Sequence, residues 1–505
     1  MKNFPTIAAV DLGSNSFRLQ VARVDDDQVY ALDSLRDPVR LAAGLDASKL
    51  LDEPAQGRAI ECLKRFGERL RGMPAGAVRA VGTNTLRVAK NVREFVPKFE
   101  AALGFPIEVV AGREEARLIY LGVAHSLPLT AEKRLVVDIG GGSTEFIIGA
   151  GHQPHRLESL YMGCVSFSLK FFEGGRLAKS NFKQAELAAR IELETIKKLF
   201  SRKQWQQAVG SSGTARAIGD VLGANGWSAG DLNREGMERL RASLIKAGHL
   251  DRVALPGLRD DRVAVLPGGF AIMNAIFEEL GVEQMALANG AMRQGILWDM
   301  VGRAHRRDMR EQTVRQFMKR YHVDSMHAHR VERLALRIYS DISNLPGEEI
   351  ESPRMLLSWA ARLHEIGLSV AHSGFHKHSA YIIANADMPG FSKMEQQHLA
   401  MLVLAHRGRL SKLRGLVRNE FDWSLLVAMR VAVLLNRSRS EARSPTIRAS
   451  RGKSTFVIEL DNRWLETNPL TAAELRLEIK GWTVLGIELL VPQLAELEAE
   501  MQGAD

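Results

Sequence analysis

Two stretches of the chain pass from an apolar run to an aspartate and then to small or hydroxylated residues: Asp11-Leu12-Gly13-Ser14-Asn15-Ser16 and Asp138-Ile139-Gly140-Gly141-Gly142-Ser143. Residues without bulk let backbone N–H groups close on a ligand, and hydroxyls add donors, so such a turn suits a phosphate. An aspartate at its mouth suits a hard cation that bridges phosphate oxygens. Ser14, Asn15, Gly141, Gly142 and Ser143 are the candidate phosphate ligands, with Asp11 and Asp138 as candidate cation ligands. Two hydroxyl-rich loops, Thr83-Asn84-Thr85 and Gly210-Ser211-Ser212-Gly213-Thr214, add Thr83, Asn84, Ser211, Gly213 and Thr214. Arg87 is a candidate phosphate clamp through its bidentate fork; a solvated helix position would equally account for it. One glycine-rich turn alone would read as an ordinary tight hairpin. Two aspartate-bearing copies with two hydroxyl loops favour a phosphate site. No Gly-Lys-Ser/Thr follows the glycines, so these are not Walker-type loops.

The two turns lie 127 residues apart, and Ala80-Val81-Gly82-Thr83 returns as Ala208-Val209-Gly210-Ser211 at an offset of 128. Two independent pairs at nearly one offset indicate duplication into two homologous lobes rather than a solenoid of short repeats. Strand patterns at Ile7–Val10, Phe17–Val24, Val78–Val81 and Ile107–Val110 alternate with helical patterns at Pro54–Arg71, Phe95–Leu103 and Glu115–Gly122. That alternation makes the lobes α/β units, with the phosphate site expected between them. From about Ala304 helical patterns dominate, at Met309–Ser343, Pro353–Leu368, Met394–His406 and Trp423–Asn436. After Pro445, strands at Thr455–Leu460 and Gly486–Leu490 flank a helix around Thr471–Ile479. The expected division is 1–125 and 126–303 for the lobes, 304–445 for a helical domain and 446–505 for a small α/β domain.

The 505 residues are 46% hydrophobic and 25% charged, which excludes a disordered chain, a collagen and a coiled coil. Two cysteines, Cys62 and Cys164, exclude a disulfide framework and a multi-thiolate zinc site, and fit a reducing cytoplasm. No apolar run approaches the ~18 residues of a membrane span, and the first residues lack the apolar core of a signal peptide. The net charge is +9, and residues 401–453 hold twelve Lys and Arg against three Asp and Glu, so the whole excess sits in that segment. An anionic partner is indicated: nucleic acid, an anionic membrane surface or a polyphosphorylated substrate. A polyanion track is the favoured reading, with His378, His406, Arg414, Arg418, Arg437 and Arg439 as candidate contacts. The electrostatics alone would also suit nucleic acid.

Several strings together resemble the exopolyphosphatase/guanosine pentaphosphate phosphohydrolase family of the actin/Hsp70/sugar-kinase superfamily. They are Val10-Asp11-Leu12-Gly13-Ser14-Asn15-Ser16-Phe17, Gly82-Thr83-Asn84-Thr85-Leu86-Arg87, Gly112-Arg113-Glu114-Glu115-Ala116-Arg117-Leu118, Val137 through Glu145 and Met162-Gly163-Cys164-Val165-Ser166. The likeness continues at His372-Ser373-Gly374 and His378-Ser379-Ala380-Tyr381, so it spans nearly the whole chain. It implies duplicated actin-like (ribonuclease H-like) α/β lobes, then a mostly helical HD-like domain and a small α/β C-terminal domain. It implies an exopolyphosphatase, a metal-dependent hydrolase releasing terminal orthophosphate from inorganic polyphosphate, with guanosine pentaphosphate 5'-phosphohydrolase, alone or as a second activity, as the alternative. It also implies roles: Glu115 as the base that activates water, Glu145 as a second catalytic carboxylate, Asp138 as the principal Mg2+ ligand with Asp11 opposite. A cytoplasmic homodimer with no obligatory nucleic acid is expected, and peripheral membrane association stays open. His364-Glu365, His372 and His376-Lys377-His378 look more like the exopolyphosphatase branch. Read from the residues alone, Glu114 and Glu115 could instead cap a helix N-terminus, and Glu145 could pair with a surface arginine. An actin-like ATPase or sugar kinase is the more distant alternative.

Nine of the fourteen histidines lie between His305 and His398. His327 and the pair His364-Glu365 resemble the first positions of HD-domain phosphohydrolases, with Glu in place of Asp. The final Asp, expected near Val433, is absent. That leaves too few ligands for the usual HD metal centre, and the region reads as a helical scaffold whose histidines cap, pack or bind phosphate.

Overall fold

The computed structural model describes residues 4–25, 28–128, 130–304, 308–343, 351–413, 420–439, 445–495 and 497. The chain forms two compact units, 2–308 and 309–505.

The first unit holds two sheets. One has strands β1 (Thr6–Leu12), β2 (Phe17–Asp25), β3 (Gln28–Asp37), β4 (Val78–Gly82) and β5 (Ile107–Val109), in the order β3-β2-β1-β4-β5. The other has β6 (Arg134–Ile139), β7 (Thr144–Ala150), β8 (Gln153–Leu160), β9 (Gln207–Ser211), β10 (Leu232–Asn233) and β11 (Gln284–Leu287), in the order β10-β11-β9-β6-β7-β8. Each sheet starts with an antiparallel three-strand meander and then adds a parallel strand beside its first, β4 on β1 and β9 on β6. The duplication therefore holds in topology as it does in sequence. Ile7 through Val10 and all of β6 are buried, as expected of strands covered on both faces.

The aspartates do not open the turns, as the sequence pattern predicts, but sit on the strands: β1 runs through Leu12 and β6 through Ile139. Register then fixes what faces them. Asp11 pairs with Arg18 across β1 and β2, and Asp138 pairs with Glu145 across β6 and β7. Equivalent positions of the two lobes thus carry a cation in one and a carboxylate in the other. β3 and β8, which the sequence does not announce, mix exposed and half-buried residues.

The predicted helix at Glu115–Gly122 extends over Gly112–Ser126. It packs on the helix Met292–Ala304 through small residues: a Cβ on Gly295 would lie 1.7 Å from the Leu118 carbonyl oxygen. Beside that contact, Asp299 accepts from Arg79 (2.6 Å), Arg117 (2.6 Å) and Arg303 (2.9 Å), all buried or nearly so.

In the second unit the continuous helical pattern at Met309–Ser343 divides into helices Met309–Arg320 and Ser325–Ile342. His322 takes a left-handed φ of 53°, and the Asp324 carboxylate caps the second helix by accepting from the His327 N–H. The strands β12 (Ile447–Arg451), β13 (Thr455–Leu460) and β14 (Glu488–Leu490) form a small sheet. Its Phe456, Ile458 and Leu489 share one hydrophobic core with Leu425, Val427 and Leu402 of the helices. Among the described residues, no helix is long and apolar enough to cross a membrane.

Candidate active site

The strand ends of the two sheets deliver the chemistry to one cleft. Asp11 and Asp138 are the penultimate residues of β1 and β6, with Thr83 after β4 and Ser212 after β9. This is the carboxyl edge of the parallel strands, where open α/β sheets bind ligands. The cleft encloses about 110 Å3 and is lined by Asp11, Glu115, Asp138 and Glu145, by Gly13 through Ser16, by Gly140, Gly141 and Ser143, and by arginines 18, 216, 262 and 293.

The two glycine and hydroxyl turns touch. A Cβ on Gly141 would stand 2.9 Å from Ser14 Cβ and 3.2 Å from the Asn15 nitrogen, and one on Gly142 would stand 2.5 Å from Asn84 Oδ1. Glycine is required here for close approach of the lobes. Thr85 donates to Ser14 Oγ at 2.8 Å and fixes that hydroxyl.

Four carboxylates share the cleft, and burial raises the pKa of each. Asp11 rises to about 6, with Arg18 and Arg293 opposing the rise. Glu115 rises to about 7 although Arg87 pulls it down. Glu145 rises well above the ordinary range, because burial is joined by the charges of Glu115 and Asp138. Asp138 also rises, against the hydroxyls of Ser212 and Ser211. Crowded, desolvated carboxylates of this kind favour a bound cation, and all-oxygen donors suit a hard one such as Mg2+.

Helix phase separates the two adjacent glutamates. Glu114 turns away and accepts two bonds from Arg117, both at 2.8 Å. Glu115 turns into the cleft and accepts from Arg87 Nη1 at 3.0 Å. Ser159 donates to Glu145 Oε1 at 2.8 Å.

The sequence-chosen residues divide. Ser14, Asn15, Thr83, Gly141, Ser143 and Gly213 line the cleft with the four carboxylates. Asn84 and Gly142 lie at the contact between turns. Arg87 holds Glu115 and the Val110 carbonyl instead of standing free as a clamp. The Ser211 and Thr214 hydroxyls donate to the carbonyls of Gly290 and Ile139, so the neighbouring Ser212 and Gly213 present the loop to the cleft. Sequence reasoning passed over arginines 18, 216, 262 and 293. Burial lowers the pKa of Arg18 to about 10, and that of Arg262 and Arg293 in the same direction, with repulsion among the arginines adding to it. The offset of 127 residues was the available signal for Arg18, since it is the lobe I equivalent of Glu145.

The expected polyanion contacts in the second unit are less open. His406 is buried and its Nδ1 bonds the Val403 carbonyl at 2.6 Å. Arg437 pairs with Glu474, and Arg439 pairs with Glu365. Arg430 pairs with Glu478 at 2.5 Å. The basic segment is thus partly neutralised by acids elsewhere in its unit, which a local charge count does not see. His378 is half-buried, and Arg414 and Arg418 lie outside the described residues.

Comparison with known proteins places these features. Residues 20–304 match the Ppx/GppA phosphatase family, and residues 309–479 match Ppx/GppA phosphatase, domain III. A protein of Vibrio cholerae serotype O1 named guanosine-5'-triphosphate,3'-diphosphate pyrophosphatase is 38% identical over 96% of this chain and 98% of its own length. A protein of the same name from Vibrio vulnificus is 38% identical over 97% of this chain and 98% of its own. The crystal structure of an exopolyphosphatase from Cytophaga hutchinsonii superposes with a TM-score of 0.54 at 23% identity, covering 59% of this chain and 97% of that one. This last likeness shows the actin-like fold.

Proposed function

Because the chain belongs to the Ppx/GppA phosphatase family, we propose that it hydrolyses the terminal phosphoanhydride of guanosine-5'-triphosphate,3'-diphosphate, releasing orthophosphate. The observation that carries this reading is the meeting of two glycine and hydroxyl turns over four clustered carboxylates, three of them buried, with arginines lining the same cleft. The name shared by relatives of nearly full length supports the substrate.

The terminal phosphoryl group would rest between the turns, held by their backbone N–H groups and by Ser14 and Ser143. Mg2+, held by Asp138 and Asp11, would supply neutralisation of the phosphoryl charge. Glu115 would accept a proton from water as the water oxygen bonds to phosphorus. The bond from phosphorus to the bridging oxygen then breaks, and its electron pair leaves with the shortened phosphate chain. Phosphoryl transfer depends on such positioning and charge stabilisation. Arg87 keeps part of the Glu115 population ionised, while burial and the charges of Asp11 and Asp138 oppose this.

Long-chain polyphosphate is the second reading. Arg18, Arg216 and Arg262 line both the cleft and an adjoining recess that adds Arg36 and Arg259, and among the described residues no aromatic ring lines either. A run of phosphates fits that lining without a base. The test is phosphate release from both substrates with and without Mg2+. Glu115→Gln is expected to lose about 10^2–10^4 in kcat, the usual worth of a general base, with an unchanged circular dichroism spectrum. Release within a few-fold of wild type would remove Glu115 from the mechanism.

A further inference from the structure

The second unit buries three imidazoles and a carboxylate that the proposed reaction does not use. His327 lies in the first turn of the helix Ser325–Ile342, and His364 and Glu365 follow the helix Glu351–Leu363. His406 follows the helix Lys393–Ala405. The exposures of His327, His364, Glu365 and His406 are 3%, 1%, 8% and 3%.

Hydrogen bonding fixes two of the tautomers. His364 Nδ1 lies 2.7 Å from the Ala361 carbonyl, and His406 Nδ1 lies 2.6 Å from that of Val403. A carbonyl only accepts, so each Nδ1 carries the hydrogen and each Nε2 a lone pair. Among the described residues, both Nε2 atoms are buried without a hydrogen-bond partner, and so is His327 Nδ1. Buried polar atoms in folded proteins rarely stay unpaired. A ring whose Nδ1–H is anchored on a carbonyl while its Nε2 points inward is oriented as metal-binding histidines are.

The donors converge. His327 Nε2 and His364 Nε2 stand 3.8 Å and 3.9 Å from Glu365 Oε1, and one ligand atom from each of the three residues falls within 4.8 Å of the others. Tetrahedral donors 2.0–2.1 Å from zinc are ~3.4 Å apart, so the two Glu365 distances would shorten by about 0.5 Å and no pair in the set by more than about 1.4 Å. The ring of His406 is 5.1 Å from that of His364, centroid to centroid. His327, Glu365 and His406 open on a cavity of about 850 Å3, which gives an entry path. Val433 lines that cavity where the sequence comparison sought an aspartate, and His406 adds a nitrogen donor instead. One group competes: the half-exposed Arg439 guanidinium is paired with Glu365.

We propose that this unit binds one divalent transition-metal ion of the zinc class through His327, His364 and Glu365, with His406 as fourth donor, and that Arg439 competes with the ion for the Glu365 carboxylate. Imidazole-rich sets prefer zinc, cobalt and nickel to magnesium, so this site and the oxygen-lined cleft select different ions.

The test uses the full chain, stripped with a chelator and held in millimolar Mg2+. Wild type is expected to take up one Zn2+ per chain, and Co2+ is expected to give the visible bands of nitrogen-bound cobalt. His327→Ala/His364→Ala is expected to weaken Zn2+ at least 100-fold and abolish the bands. Arg439→Gln, at a surface position that leaves every ligand in place, is expected to tighten Zn2+ about tenfold. Equal uptake by wild type and the double histidine variant would overturn the site. Weaker or unchanged binding in Arg439→Gln would overturn the competition, and this variant stays informative if the histidine variants fail to fold.

Discussion

Gly141→Ala tests whether catalysis depends on the contact between the two phosphate turns. The backbone of Gly141 lies outside the left-handed region, so alanine adds only a methyl group. That methyl would stand 2.9 Å from Ser14 Cβ, 3.2 Å from the Asn15 nitrogen and 3.3 Å from the Ser14 carbonyl carbon. Carbon atoms settle at ~3.5–4.0 Å, so the first lobe's turn must retreat by roughly 0.6–1 Å. Two of the three atoms met are backbone, and no rotamer change can relieve them. The same turn carries Ser14 and Asn15, the proposed phosphate ligands, and a misplacement of about 1 Å at a reacting centre costs on the order of 10^2 in rate. The expected outcome is a 10- to 100-fold fall in kcat on guanosine pentaphosphate and on polyphosphate alike, read as phosphate release under steady state. Overpacking costs ~1–3 kcal/mol, which the thermal midpoint reports separately. Gly57→Ala, in the exposed face of the helix Glu53–Leu70 with nothing within 4 Å of the added methyl, is the control. It should gain ~0.5–1 kcal/mol of stability with unchanged kcat. A folded Gly141→Ala enzyme with kcat within twofold of wild type would refute the argument that close approach of the turns positions the phosphate.

Three further outcomes are expected. Arg87→Met removes the cation that opposes burial at Glu115, so the acid limb of the pH profile of kcat/KM should move upward by about a unit or more; a limb that stays in place would separate Arg87 from Glu115. In the folded enzyme Asp11 and Glu115 hold protons up to about pH 6 and 7 that the unfolded chain releases near its ordinary carboxylate values. Unfolding therefore releases protons between about pH 4 and 7, and metal-free stability should fall as pH rises through that window, while Mg2+ should restore it at neutral pH; calorimetric melts at constant ionic strength check both. Asp299→Asn strips the shared partner from Arg79, Arg117 and Arg303 and should cost ~3–5 kcal/mol, measured as a lower urea midpoint; a change below 1 kcal/mol would show that the cluster relaxes.

Local order was legible where a short pattern forces it. The apolar run before each aspartate, the small residues after it and the near-equal offsets of two motif pairs indicated two homologous α/β lobes, and the same turns singled out Asp11, Asp138 and most of the turn residues, whereas Glu115 came only from the family resemblance. What the sequence left undecided depended on register, helix phase and contacts between distant segments. Glu114 and Glu115 are neighbours in sequence, yet a rotation of roughly 100° per helical residue sends one to Arg117 and the other to the cleft. Arg18 reads as an ordinary polar residue of a strand until the pairing with Asp11 makes it the counterpart of Glu145 and the fold sets both on one cleft. The charge count of residues 401–453 predicted a free basic track, and only the fold could show Arg430, Arg437 and Arg439 meeting Glu478, Glu474 and Glu365. Residue types and spacing determined which chemistry this protein carries, because close approach to a phosphate demands glycine and hydroxyl side chains at short range. Tertiary structure decided which groups perform it, because burial and the partners brought from far along the chain set each group's charge.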